Sequence, residues 1–434
     1  MRRQRRSESE VGVQASACLV HELKLELQLF LRGGARSHYV ERAKMTSDSP
    51  QSPITSLYVH VPFCAQKCEY CAFFSEAARG DTVNRYVDAL VREMELVAND
   101  LKPKTIFFGG GTPSLLNLRQ WETIFGAMER LNLSGAEEWT IECNPATVSL
   151  DKAKLFLDHG VNRISMGVQS LDANLLERLG RVHSREMVFK SFDTLRSAGF
   201  QNINIDLMFA IPGQTMRIWQ ETLAEALAIG SEHLSSYEVI YEEDTPLYEK
   251  LQAGQFAVDE ELACAMYEEL LCCADAGGFH QYEIANFARR AFTGSGEIPE
   301  FACRHNVNYW RGGSFYGLGP SAAGYVRGVR VKNWANTILY CEQLEKGQRA
   351  IESREELNPL SRAGEIAAFG LRMNSGWPLV EFQQRTGFEL EQEWKTEIAQ
   401  LINLEYAHLD GKKFQLTSRG LRYADWAAEQ FLRI

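Results

Sequence analysis

No run of the ~18 apolar residues needed for a membrane-crossing helix occurs in this chain, so no helical span is expected. Basic residues are the minority: 46 Lys+Arg stand against 57 Asp+Glu, a net charge of −11, which excludes broad binding to nucleic-acid phosphates. Disulfide-scaffold density is missing too. The ten cysteines are scattered over 434 residues, which fits a reducing compartment and makes a cytoplasmic location the expectation. The N-terminus lacks the acid-poor composition of a transit peptide. Arg2, Arg3, Arg5 and Arg6 open it, but Glu8, Glu10, Glu22 and Glu26 follow, and such charges also rule out a secretory signal. Residues 1–50 therefore read as an extension upstream of a start at Met45, without assigned function.

What is present is an ordinary globular composition, 45% hydrophobic and 24% charged. The length suits one barrel of ~250 residues plus a smaller domain. From Leu57 to about Ile240, short apolar runs alternate with amphipathic stretches, the pattern of β/α repeats. The strand candidates are Leu57–Val61, Thr105–Phe108, Trp139–Glu142, Arg163–Val168, Asn202–Met208 and His233–Ile240. Between the first two, Val83, Tyr86, Val87, Leu90, Val91 and Met94 form one helical apolar face. Six such units predict an α/β fold, a parallel sheet curled into a partial (β/α)6 barrel across residues 51–290, with every strand C-terminus at one rim. A linking region, 291–350, follows a helix near Val258–Ala276 and reads as loops rich in Gly, Asn and aromatics; Ala291–Phe301 within it looks inserted. Residues 351–434 read as a small α+β, winged-helix-like C-terminal domain, with a hairpin about Asp410-Gly411 and a last helix opened by Thr417. Its ten Lys/Arg against thirteen Asp/Glu favour a packing or lid module over DNA binding.

The chemistry concentrates at predicted strand ends. Cys64, Cys68 and Cys71 stand in His60-Val-Pro-Phe-Cys-Ala-Gln-Lys-Cys-Glu-Tyr-Cys, just after the first strand. Three soft thiolates in C-x3-C-x2-C can wrap one corner of a metal cluster and leave a position open for chemistry. A CxxC redox pair or a zinc knuckle completed by His60 are the competing readings. Gly109-Gly-Gly-Thr-Pro113 ends the second strand; its glycines permit positive φ and close backbone approach, and no Lys follows as a phosphate loop requires. Later strand ends carry Glu142, Gln169, Arg181 and Asp206, each singly more often a solvated or capping residue. Gly317-Leu-Gly-Pro-Ser-Ala-Ala-Gly324 mimics a dinucleotide fingerprint without its βαβ context or spacing, and is rejected.

Together these motifs resemble the radical S-adenosylmethionine (SAM) enzymes, in the subfamily of oxygen-independent coproporphyrinogen III oxidase and its relatives, from about Leu57 to the C-terminus. The resemblance implies a [4Fe–4S] cluster on Cys64, Cys68 and Cys71, with the fourth iron chelating SAM and an electron cleaving its sulfonium to a 5′-deoxyadenosyl radical. It implies SAM contacts at Tyr58, Tyr70, Gly110, Gly111, Thr112, Glu142, Gln169, Arg181 and Asp206, and through the backbone at Ile240. Two branches share this framework. The oxidase has a further cysteine two residues after the third, where this chain has Phe73. The haem chaperone branch has an HNxxYW signature, matched by His305, Asn306, Tyr309 and Trp310. On residue chemistry alone a satisfied structural histidine with Trp310 in the core is the better reading; the resemblance reverses it, implying haem with His305 as a candidate axial ligand. The expected function is therefore haem binding and transfer to acceptor haemoproteins of respiratory type, with an electron donor for the cluster and peripheral membrane association through the acceptors. No nucleic-acid partner is expected, and the alternative is oxidative decarboxylation of coproporphyrinogen III in porphyrin biosynthesis.

Overall fold

A computed structural model describes residues 52–289 and 298–433. The N-terminal extension lies outside these residues, as does the stretch read as inserted except for Ile298–Phe301. The six expected strands form: β1 (Ile54–Val61), β2 (Leu101–Gly110), β3 (Glu138–Cys143), β4 (Arg163–Gln169), β5 (Ile203–Phe209) and β6 (His233–Glu238). They pair in parallel in chain order, joined by helices α1 (Gly80–Val97), α2 (Leu118–Arg130), α3 (Leu150–Asp158), α4 (Arg185–Ala198) and α5 (Met216–Ala228), with α6 (Glu260–Ala276) after β6. Local chemistry sets the helix starts. Asn117, Ser149, Ser184, Thr215 and Asp259 each accept a hydrogen bond from an amide of the first turn of the helix they open. The expected face of α1 is buried at Val83, Tyr86, Val87, Leu90 and Met94, while Val91 is half-buried.

The linking region is not loops. It follows a hairpin of β7 (Phe279–Glu283) and β8 (Asn286–Arg289), and it supplies helix α7 (Arg304–Trp310) and β9 (Tyr316–Leu318). The sheet is therefore nine-stranded, in the order β9-β1-β2-β3-β4-β5-β6-β8-β7, with β9 parallel to β1 and the β7–β8 hairpin antiparallel against β6. These strands are three to five residues long, too short to show a period. Their glycines serve backbone contact: a Cβ on Gly317 would overlap the Ala323 carbonyl, and one on Gly319 that of His60. The rejected fingerprint is thus a close-packed strand edge.

Along β1–β6 alternate residues divide the sheet. Leu57, Val59, Ile106, Phe108, Ile141, Ile164, Met166, Ile205 and Leu207 point to the helices and build the main core with Tyr86, Trp121, Phe125 and Trp219. The other set is largely polar: Ser56, Tyr58, Thr105, Glu138, Glu142, Arg163, Ser165, Asn204, Asp206 and Ser235. One cavity is lined from all six strands, so the sheet curls as a partial barrel around a polar interior. The C-terminal part has a separate core, including Trp377, Phe382, Trp394, Phe414 and Phe431. Its hairpin, Ala407–Leu409 with Lys413–Leu416, takes Trp377–Pro378 as a third strand. Asp410 accepts from the amides of Lys412 and Lys413 in the turn, and Thr417 caps the next helix. Helix α8 (Pro359–Gly370) brings Glu365, Ile366 and Phe369 to the cavity, so this part closes one of its sides.

Candidate functional site

The chain leaves β1 into a loop in which Phe63–Cys64 pairs with Glu76–Ala77, holding both ends of the cysteine segment. The Cys71 amide donates to the Cys68 carbonyl at 3.2 Å, turning the segment back on itself. Thr112 Oγ1 donates to Cys64 Sγ at 3.6 Å and Arg181 Nη1 to Cys68 Sγ at 3.5 Å. All three thiols are free, half-buried and on the cavity wall. Burial pushes the Cys64 thiol up, and with Cys68 nearby pushes that of Cys71 up to about 12. Among the described residues no three Cys, His, Asp or Glu side chains converge on one ion. That disfavours a mononuclear zinc knuckle, whereas a cubane cluster spreads its thiolates over separate irons. Three thiols on one wall fit the cluster.

The glycine run is required at every position. Gly110 has φ +99°, and a Cβ there would overlap the His60 ring. A Cβ on Gly109 would lie 2.9 Å from the Glu142 carboxylate, and one on Gly111 2.7 Å from the carbonyls of Val61 and Phe63. The bare backbone lets the Gly110 amide donate to Glu142 Oε2 at 3.1 Å. Arg181 donates through Nη2 to Asn144 Oδ1 and the Gly167 carbonyl, both at 2.6 Å, while its buried Nε–H has no acceptor among the described residues. Gln169 sits in the left-handed region at φ +66°, at a register shift between β4 and β5. Asp206 accepts from Asn204 Nδ2 at 2.7 Å and Ser165 Oγ at 3.3 Å, and burial raises its carboxyl above the usual range. Burial likewise holds the hydroxyls of Tyr58 and Tyr70 protonated.

The HNxxYW segment is helix α7, set into the barrel interior. Glu138 Oε2 accepts from the Arg304 amide at 2.8 Å and Oε1 from the His305 amide at 2.9 Å, so a strand carboxylate caps the helix. The His305 ring stacks on Phe107 at 5.3 Å. Its Nδ1 meets Ser56 Oγ at 3.2 Å and Thr105 Oγ1 at 3.1 Å, and its Nε2 meets Tyr309 Oη at 2.6 Å. Burial, reinforced by Arg163, lowers its pKa to about 3, keeping the ring neutral. Both ring nitrogens thus meet hydroxyl partners. Trp310 is 3% exposed beneath the Arg372 guanidinium, 4.8 Å away. Asn306 and Tyr309 face the cavity.

Every site residue expected from sequence lines this one cavity of about 480 Å³, Ile240 and Phe73 among them. The thiols and α7 share it, so the sequence's two sites are parts of one chamber. Glu138, Asn144, Arg163 and Asn204 were not among the expected residues. Their signal was the i, i+2 alternation 138-140-142-144, 163-165-167-169 and 204-206, which marks polar side chains on one face of each strand.

The radical SAM superfamily pattern matches residues 58–226, and that of the HemN C-terminal domain matches residues 357–423. The chain is similar to the heme chaperone HemW of Lactococcus lactis, 33% identical over 379 residues that cover 87% of this chain and 97% of that protein. Against the heme chaperone HemW of Bacillus subtilis it is 33% identical over 371 residues, covering 84% and 96%. Among solved structures, the coproporphyrinogen III oxidase HemN from Escherichia coli has the same fold, with a TM-score of 0.75 and 21% identity over 88% of this chain and 90% of that one.

Proposed function

Because this chain belongs to the radical SAM superfamily, in the group of the heme chaperones, we propose that it binds haem beside a SAM-bearing cluster and hands the haem to acceptor haemoproteins. One observation carries the reading: a single cavity collects the three thiols, the glycine run and helix α7. Cys64, Cys68 and Cys71 would hold a [4Fe–4S] cluster with one iron left for SAM, which when bound supplies one-electron cleavage of the sulfonium bond. Arg181 answers the SAM carboxylate, since its Nε–H has no acceptor among the described residues and a guanidinium suits bidentate pairing. The backbone of Gly110 and Gly111 meets the methionine end, with Thr112 steadying Cys64 beside it. Glu142, Gln169 and Asp206 accept from hydroxyl and amino groups, and Tyr58, Tyr70 and the backbone of Ile240 complete the walls. Asn306, Tyr309 and Trp310 form the haem side. His305 can reach an iron only after Tyr309 releases Nε2.

Respiratory haemoproteins as acceptors, a separate electron donor and peripheral membrane association remain part of this reading. No helix among the described residues is long and apolar enough to cross a membrane. The test is anaerobic reconstitution of the full chain, followed by parallel assays for haem binding and for coproporphyrinogen III turnover with SAM. Haem binding without decarboxylation is expected, since Phe73 occupies the position of the oxidase's extra cysteine. Robust conversion to protoporphyrinogen IX would overturn the chaperone reading and restore the oxidase.

A further inference from the structure

The polar interior contains a guanidinium most of whose N–H donors find no acceptor among the described residues. Arg163, at the first position of β4, is 2% exposed and lines the cavity. Among the described residues only Nη1 of its N–H groups has a partner, Thr140 Oγ1 at 3.5 Å, and the buried Nε has none. It makes no ion pair among the described residues. Glu138 and Asp206 balance its charge from a distance, but neither takes a hydrogen bond from it: Glu138 caps α7, and Asp206 accepts from Asn204 and Ser165. A second buried donor on the same lining, Nε1 of Trp310, also has no acceptor among the described residues. Buried N–H donors left without acceptors are costly. A fold tolerates that where the donors await a ligand.

We infer that Arg163 is the anchor for a carboxylate of the molecule that fills the inner end of the cavity, and that this carboxylate is a propionate of haem. The assignment rests on the haem-chaperone reading. SAM carries a carboxylate as well, but Arg181 stands beside the thiols to receive it, bonded to Cys68 Sγ at 3.5 Å. Arg163 lies instead on the α7 side: it opens β4 opposite Thr140 of β3, two residues from the Glu138 that holds α7. Of the three guanidiniums on the cavity, Arg330 is paired with Glu355 and Glu365, and Arg181 and Arg163 divide two carboxylate ligands between the cluster side and the α7 side. Arg163 is a binding residue in this scheme and takes no part in bond cleavage.

The experiment compares haem with haem dimethyl ester, in which both propionates are capped, by absorbance titration of the full-length, cluster-reconstituted protein. The wild type should bind haem about 10- to 100-fold more tightly than the ester, the range of a charged hydrogen bond. Arg163→Gln should bring the two ligands to within about twofold by weakening haem alone, and Arg163→Lys should keep part of the preference. SAM affinity should be the same in all three proteins. Equal binding of haem and ester by the wild type would overturn the inference, and needs no variant. So would a preference for haem that survives Arg163→Gln, or a loss of SAM affinity in that variant with the preference intact. If Arg163→Gln does not fold, the wild-type comparison with Arg163→Lys decides. Failure of the wild type to bind either ligand would fall on the proposed function itself.

Discussion

Replacing Glu138 by Gln changes one oxygen to an NH2 group at the point where β3 grips helix α7. Glu138 is 4% exposed, and its two oxygens receive the amides of Arg304 and His305 at 2.8 and 2.9 Å, with Cys303 Sγ at 3.6 Å. Glutamine retains a single acceptor, so one backbone N–H faces another donor, a mismatch worth about 1–3 kcal/mol. Loss of the negative charge at the helix start removes up to ~1–2 kcal/mol more in a buried setting. Together these give a destabilisation of about 2–4 kcal/mol, or a fall in Tm of roughly 3–6 °C for a cooperative unit of about 300 residues. Chemical denaturation followed by circular dichroism measures the first quantity. Hydrogen exchange at the Arg304 and His305 amides measures the local effect, and both should exchange faster. A loss below ~0.5 kcal/mol, the scale of a surface change, with unaltered exchange at both amides, would refute the capping argument.

Simultaneous replacement of Cys64, Cys68 and Cys71 by Ala should reduce bound iron from ~four per chain to none after anaerobic reconstitution, and a retained cluster would place its ligands elsewhere. Arg181→Ala should weaken SAM binding by ~1.5–3 kcal/mol, read by equilibrium dialysis; unchanged affinity there and in Glu142→Ala would remove SAM from these strand ends. Burial, and then Glu260, push the Glu238 carboxyl up to about 8. The folded chain therefore holds a proton there that the unfolded chain releases above the ordinary carboxylate value, and stability should decline from about pH 4.5 to 8. Denaturation curves of the wild type and Glu238→Gln should diverge across that window by up to ~1.4 kcal/mol per pH unit, and parallel curves would refute the shift.

The strands were legible because their outward faces are unbroken: Leu57, Val59 and Val61 or Ile164, Met166 and Val168 lie under helices and read as apolar runs. The inward face was harder. Arg163 opens β4 and looks, in sequence, like a solvated strand start; only closure of the sheet turns it into a buried cation. Glu138 was equally opaque, since the amides it caps lie 166 and 167 residues downstream. The cluster segment was legible because its three ligands are local. The partners of His305 were not, because Ser56 and Thr105 are 249 and 200 residues away. Local spacing reveals chemistry that one loop completes; chemistry completed by curvature stays hidden until the sheet closes.

The seating of α7 bears on how this protein can be taken apart. Arg372 bonds Glu283 at 3.3 Å and covers Trp310, and Arg311 donates to the Gly376 carbonyl at 2.7 Å and Ser375 Oγ at 2.9 Å. A fragment ending near residue 350 would keep every cysteine of the cluster segment, yet it would strand Glu283 as a lone buried anion and bare the indole of Trp310. Such a truncation cuts through the barrel's floor rather than along a seam. Shuffling the last eighty-odd residues between relatives would likewise require Glu283, Trp310 and Arg311 to travel with them, because the two halves were fitted to each other around one helix.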